Sequence, residues 1–295
     1  MSEVHLDRRQ VRRAFARAAR SYERHDALQR EVGARLRERV SMLQTPPARV
    51  LDVGAGTGAG TAALKRAFPE AEVIALDLAL PMLRAAKAHR SWRRPFTRVC
   101  ADAQALPLAD RSIDLLHSNL CIQWIDDPEP LFAEWLRVLK PGGLMLLSTF
   151  GPDTLIELRQ AWASADGTHP HVGRFLDMHD LGDAALNAGF RDPVLNVERF
   201  TLTYPDPRAL LRELKGLGAT NADSARERGL TGKARFRRML EAYEALRADG
   251  HVPSTWEVVY LHAWGPPEGQ PRRLRGAEIA TFSLDKLRGS RRSAG

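Results

Sequence analysis

RVLDVGAGTGAG, residues 49–60, is a short apolar run closed by alternating glycines. Val50, Leu51 and Val53 predict a buried parallel strand, and the glycines end it in a loop without side-chain bulk, open to close approach by a ligand. Residues 57–68 predict a helix whose first amide groups face whatever lies over that loop. Gly54, Gly56 and Ala59 also satisfy the relaxed G-x-G-x-x-G/A spacing of dinucleotide enzymes, and a tight strand-to-helix turn that binds nothing would satisfy it too.

The residues downstream narrow those alternatives. Residues 72–76, EVIAL, predict a second strand that delivers Asp77 at its carboxyl end, and Pro81-Met82-Leu83 opens the next helix. An acid there is suited to accept hydrogen bonds from both hydroxyls of a ribose. A third strand, 97–100, leads to Asp102, the next position where a side chain or backbone amide could meet an adenine edge; a fourth, 113–117, opens onto Ser118 and Asn119. Asp52, Asp77 and Asp102, three acids at strand ends, would repel a diphosphate and suit a cationic ligand.

The chain's 295 residues admit one large α/β domain or two small ones, and 44% hydrophobic residues is ample for a core. No apolar run reaches membrane-spanning length, no signal-peptide core is visible, and Glu3 and Asp7 argue against an acid-poor transit peptide, so the cytoplasm is the expected compartment. Cys100 and Cys121 are expected as buried thiols of the sheet core, with neither a disulfide nor a metal site. The histidines show no H-E-x-x-H or C-x-x-C company. The net charge of +8 is uneven: residues 1–48 hold 11 arginines and 6 acids, and residues 265–295 hold 7 cations and 3 acids, which leaves the middle near −1. Basic ends suit nucleic acid, an acidic protein partner or plain solvation; no helix-turn-helix, zinc-finger or RNP-like pattern accompanies them, so nucleic acid is the unfavoured partner.

Along the chain, Val11, Phe15, Ala18, Ala19 and Tyr22, then Leu28, Val32, Leu36 and Val40, predict two amphipathic helices packed across the open end of the sheet and stopped by Thr45-Pro46-Pro47. Residues 50–150 alternate strand and helix, which calls for a doubly wound parallel sheet. Residues 128–139 read as helix, Lys140-Pro141-Gly142-Gly143 as a turn and 144–150 as the fifth strand. Helices are expected at 153–163, 181–188, 207–217 and 234–248, and strands at 193–204 and 255–264. The domain reading is a helical cap at 1–48, a main domain at 49–264 with a lid insertion at about 151–178 and a helical insertion at about 205–250, and a basic, disordered tail at 265–295.

In order and spacing, DVGAGTG at 52–58, Asp77, Asp102-Ala103, Ser118-Asn119-Leu120 and RVLKPGG at 137–143 resemble the class I S-adenosylmethionine-dependent methyltransferases. The resemblance implies an α/β, Rossmann-like, seven-stranded mixed sheet, with the last strand antiparallel between the fifth and sixth. It implies S-adenosyl-L-methionine as cofactor, held by Asp52, Gly54, Ala55, Gly56, Gly58, Asp77, Leu78, Met82, Asp102, Ala103 and Asn119. The cationic sulfonium and amino groups of that ligand give the three acids their sense.

A narrower resemblance covers nearly the whole chain. The pattern F-x-x-A-A-x-x-Y at 15–22 with Leu28-Gln29, NLCIQW at 119–124, HVGRFL at 171–176 and LKGLGATN at 214–221 are similar to the malonyl-acyl-carrier-protein O-methyltransferase family of biotin synthesis. That family caps the free carboxylate of a malonyl thioester as its methyl ester, so that fatty-acid elongation accepts the group as an apolar primer. The resemblance implies acyl-carrier protein carrying malonyl as partner (or the CoA thioester), with Tyr22, Arg174 and Phe175 on the acceptor side. A malonyl carboxylate titrates near Glu, at about 4, so at neutral pH it is already the nucleophile and no general base is required. Catalysis then reduces to positioning and exclusion of water. Arg174 either grips a carboxylate or phosphate or is a solvated loop arginine; Trp124 either walls the site or is core; the Tyr22 hydroxyl either reaches the site or its ring merely packs. Residues 180–193, 230–232 and 252–264 also resemble a branch acting on respiratory-complex subunits, as assembly factors or arginine hydroxylases. A nucleic-acid-binding protein on a degenerate methyltransferase fold is a third reading, against which the intact glycine loop and Asp77 argue.

Overall fold

A computed structural model describes residues 5–167, 169–227, 229, 231–269, 272–274 and 277–279. Seven strands, β1 (Arg49–Val53), β2 (Glu72–Asp77), β3 (Thr97–Cys100), β4 (Ile113–Asn119), β5 (Leu139–Phe150), β6 (Arg191–Tyr204) and β7 (Val252–Trp264), form one sheet in the order β3-β2-β1-β4-β5-β7-β6. The first five run parallel, and β7 is antiparallel to both β5 and β6. The helices are α1 (Arg8–Ala18), α2 (Ala27–Glu38), α3 (Ala59–Ala67), α4 (Leu80–Ala85), α5 (Pro128–Val138), α6 (Ile156–Ala165), α7 (Met178–Ala188), α8 (Pro207–Leu217) and α9 (Lys233–Glu244).

Period-two alternation sorts the central strands into two apolar faces. Val50, Leu115 and Leu146 pack with Leu28, Val32 and Leu36 of α2 and Leu64 of α3. Their neighbours Leu51, Leu116 and Leu147 pack with Phe132 and Trp135 of α5 and Leu181 of α7 on the opposite face. Asp127 and Asp206 cap α5 and α8 by accepting from Glu129 N–H and Ala209 N–H. Both faces are therefore closed, and the open part of the sheet is its carboxyl edge, where β1, β2 and β4 end.

Several local expectations need correction. Residues 140–143 are not a free turn but part of β5: Ile113 pairs with Leu139 and Leu115 with Leu144, so the extra residues are absorbed as a register shift. The Gly142 and Gly265 amides then tie that bulge to the end of β7, donating to Gly265 O and Gly143 O. Helix α3 begins at Ala59, because Gly58 turns left-handed (φ +83°) before it. Cys100 is exposed rather than buried, since β3 is an edge strand, and Cys121 is half-buried; both are free thiols. Tyr22 lies beyond α1, in a short 3-10 turn, Tyr22–Arg24. In the expected disordered tail, Arg272–Leu274 (β8) and Ala277–Ile279 (β9) pair as an antiparallel hairpin; the rest of the tail past 269 lies outside the described residues. Among the described residues no helix is long and apolar enough to cross a membrane.

Candidate active site

The loop after β1 is held against the end of β2 by two amides: Gly54 N–H and Ala55 N–H both donate to Leu76 O, at 2.8 and 3.0 Å. Gly54 (φ +74°) admits no side chain, because a Cβ there would stand 2.5 Å from Cys121 Sγ. At Gly56 (φ +55°) the Cβ direction instead opens on empty space. This is the bare side of the loop, and it faces the cleft.

Asp77 ends β2 beneath that loop. Gly56 N–H donates to Asp77 Oδ2 at 2.9 Å and Ala79 N–H to Oδ1 at 2.7 Å. Each carboxylate oxygen thus accepts one amide and keeps capacity for a second donor from the cleft. Burial pushes the Asp77 carboxyl up to about 6; the two amide bonds oppose the shift and the charge of Asp52 adds to it.

The cleft around Asp77 has about 800 Å³ of empty space when the open solvent at its mouth is included. Tyr22, Gly54, Gly56, Asp77, Leu78, Met82, Asp102, Ala103 and Asn119, all expected from sequence, line it. Asn119 is fixed at the end of β4: its Nδ2 donates to Gln29 O at 2.9 Å and its Oδ1 accepts from Ser148 Oγ at 2.8 Å. Tyr22 packs its ring with Ala18, Ala79 and Met82. Burial, reinforced by the charges of Asp26 and Asp77, holds its hydroxyl far above the ordinary phenol range, so it stays a neutral hydrogen-bond donor.

Helix α1 forms the outer wall. Arg8, Val11 and Phe15 line the cleft together with Gln104, Trp124 and Ile125; Phe15 meets Trp124 edge-on at 5.3 Å, and the Arg8 guanidinium pairs with the Asp102 carboxylate. Behind it, α1 rests on the end of α8, where a Cβ on Gly218 would lie 3.0 Å from Ala14 O. Arg8, Gln104 and Ile125 were missed from sequence. The recurrence of Arg8, Val11 and Phe15 every three or four residues was the available signal for Arg8, but it reads equally as core packing.

Five expected site residues lie elsewhere. Asp52 is 3% exposed and turned into the protein, where its Oδ1 is 2.8 Å from His117 Nδ1 and its Oδ2 accepts from Thr61 Oγ1 at 2.5 Å. Of the three strand-end acids, Asp77 and Asp102 line the cleft, and Asp102 is already paired with Arg8. Ala55 is spent on the loop's own hydrogen bond, and Gly58 on the close approach of Ala86, just past α4, whose Cβ would be 2.7 Å from a Cβ on the glycine. Arg174 and Phe175 line a separate depression with Arg159, Trp162 and His171. Its floor is the Trp162–His171 stack, 3.7 Å between centroids, and Phe175 meets Phe150 at the carboxyl end of β5. Arg174 is exposed and has no ion-pair or hydrogen-bond partner among the described residues. Among the described residues no group of three or more His, Cys, Asp or Glu side chains is placed to hold a metal ion.

A bare glycine loop over an acid that keeps two free acceptor sites, walled by aromatic rings and one tyrosine, fits a nucleoside with a cationic appendage. Comparison with known proteins agrees. A family profile described as "Methyltransferase domain" matches residues 51–147. The malonyl-[acyl-carrier protein] O-methyltransferase of Xylella fastidiosa (strain M23) is 48% identical over 291 residues, 98% of each chain. The protein of the same name from Gallionella capsiferriformans (strain ES-2) is also 48% identical, over 96% of this chain and 99% of its own. Among solved structures, phosphoethanolamine N-methyltransferase 2 of Haemonchus contortus, in complex with S-adenosyl-L-methionine, superimposes with a TM-score of 0.54 at 22% identity, over 84% of this chain and 56% of its own. That likeness shows the shared fold.

Proposed function

The chain belongs to the malonyl-[acyl-carrier protein] O-methyltransferase family, and on that premise we propose that it methylates the free carboxylate of a malonyl thioester carried on acyl-carrier protein. The observation that carries the reading is 48% identity over 98% of the chain to a relative of that name, joined to a cleft whose chemistry needs no acid–base pair. The reaction class is S-adenosylmethionine-dependent O-methyl transfer. The product, a neutral ester, is the charge-masked primer that biotin synthesis requires of the family, and a cytoplasmic enzyme is the reading consistent with that substrate.

The residues present fit the cofactor. Asp77 offers two unused acceptor sites for a pair of ribose hydroxyls, and Gly56 leaves the backbone bare beside them. Leu78, Met82 and Ala103 supply apolar contact, and the Arg8–Asp102 pair lines the cleft with them. When bound, S-adenosylmethionine supplies a methyl group on a cationic sulfur that a carboxylate oxygen can take without prior proton loss. The protein's work is then to orient and to dry. The neutral hydroxyl of Tyr22, a residue of the cleft lining, is suited to hold a carboxylate oxygen without neutralising it, and Phe15 and Trp124 exclude water, which strengthens the attraction between carboxylate and sulfonium. Arg174, without a partner among the described residues and in the separate depression beside Phe175, is suited to hold the phosphate of the carrier's arm rather than the reacting carboxylate.

Release of S-adenosylhomocysteine, followed with malonyl- and acetyl-loaded carrier protein, tests the reading. Turnover is expected only with the malonyl form, because the acetyl form has no free carboxylate; equal turnover of both would refute it.

A further inference from the structure

The outer walls of the cleft carry an unbalanced charge. Residues 8–22 contain six arginines and no acid, and residues 78–101 contain five arginines, one lysine and no acid. Distant in sequence, the two stretches meet in space: Ala18 packs on Ala79 and Met82, and His89, just after α4, is 2.6 Å from Glu23. While Val11 and Phe15 turn inward to the cleft, Arg9, Arg12, Arg13 and Arg17 recur on the opposite side of α1, all exposed. None of these four has an acidic partner among the described residues. On the neighbouring wall, Arg84, Arg90 and Arg98 surround a depression between α4 and β3 with the exposed Leu80. Beyond it Trp92 is 84% exposed, with the Arg93 guanidinium over its ring.

We propose that this composite face of α1 and the α4–β3 segment docks the acidic protein domain that delivers the malonyl thioester; the proposal rests on the carrier-protein reading of the substrate. Among the described residues only Asp102, on Arg8, and Glu23, on His89, offset these cations, so the unpaired arginines repel one another, and an acidic partner relieves that repulsion while steering its own approach. Leu80 and Trp92 give the face apolar anchors among the charges, as protein interfaces have at their centres. The face borders the cleft mouth, where a tethered thioester must enter. A nucleic acid would use the same charge, but Trp92 is the one exposed large aromatic among the described residues, which leaves no row of rings for bases to stack on.

The test compares wild type with Arg12→Glu/Arg13→Glu/Arg17→Glu, with Arg84→Glu/Arg90→Glu, and with the charge-keeping Arg12→Lys/Arg13→Lys/Arg17→Lys. Each is assayed on malonyl-acyl-carrier protein and on malonyl-CoA across ionic strength, with melting temperature as the fold control. Both reversals are expected to raise KM for the carrier substrate at least ~10-fold at low salt and to flatten its salt dependence. They should leave kcat, and turnover of malonyl-CoA, within about twofold of wild type, and the lysine variant should behave as wild type. Unchanged kcat/KM on the carrier in both reversals overturns the docking face while leaving the methyltransferase reading intact. So does equal loss on both thioesters, or a single-stranded RNA that competes as strongly as the carrier. Wild-type turnover of neither thioester would overturn the functional reading itself, and the docking face with it.

Discussion

Asp77 and Tyr22 carry the most weight per atom. The Asp77 carboxylate accepts best when ionised, and burial places its ionisation at about 6. Cofactor affinity should therefore be full near neutral pH and begin to fall as pH drops through that value, because protonation removes an acceptor site. Asp77→Asn should weaken binding by about 1–3 kcal/mol, the usual cost of a lost buried partner, and flatten the pH profile over that window. Calorimetry across pH checks both, and an unchanged affinity would remove Asp77 from the site. For Tyr22 the discriminating change is Tyr22→Phe, which keeps the ring against Met82 and Ala79 and deletes only the hydroxyl. A hydrogen bond to a charged group lost from the transition state costs about 1.5–3 kcal/mol, so turnover should fall about tenfold to a hundredfold with the melting temperature unmoved. Turnover within about twofold of wild type would make Tyr22 a packing residue. Asp52 shows the limit of the residue scale: strand-end position said nothing about which way its carboxylate turned, and His117 and Thr61, distant in sequence, claimed both oxygens.

Among the elements, α1 is the one whose role depends most on its supports. Its inner side lines the cleft and its back rests on Gly218, the left-handed cap of α8 (φ +77°). Gly218→Ala forces a side chain into that conformation, at about 1–2 kcal/mol, and drives a Cβ to 3.0 Å from Ala14 O. The expected outcome is a lower melting temperature and, by hydrogen exchange, faster opening of α1 amides than of the sheet. Unaltered protection of α1 would show that the helix is anchored elsewhere. The order of strands and helices from β1 to β5 was legible in the sequence, because buried parallel strands are apolar runs and glycines or prolines bound them. Element ends were less so. The bulge at 140–143 looked like a turn because Pro-Gly-Gly reads alike in either setting, and only the pairing of Gly142 with Gly265 makes it strand.

At the scale of the whole molecule, the sheet brings to one edge residues from five separate stretches of the chain, and α1 closes over them. The glycine loop, Asp77 and Asn119 could be read before the fold was known, because each follows a strand directly. Arg8, Gln104 and Ile125 could not, since their place at the cleft depends on how α1 and the segments after β3 and β4 lie across the edge. The charge distribution follows the same logic: counted along the chain it gathers at the termini, whereas in space the arginine-rich residues 8–22 pack against the arginine-rich residues 78–101. The central claim is that this assembly puts a methyl group on the free malonyl carboxylate. Intact-mass spectrometry of malonyl-acyl-carrier protein, incubated with the enzyme and S-adenosylmethionine, tests it most directly. The account predicts the gain of one methyl mass on the malonyl arm, dependent on S-adenosylmethionine, with acetyl-acyl-carrier protein unchanged. A malonyl-acyl-carrier protein of unaltered mass, or a methyl group found on the carrier polypeptide, would contradict it.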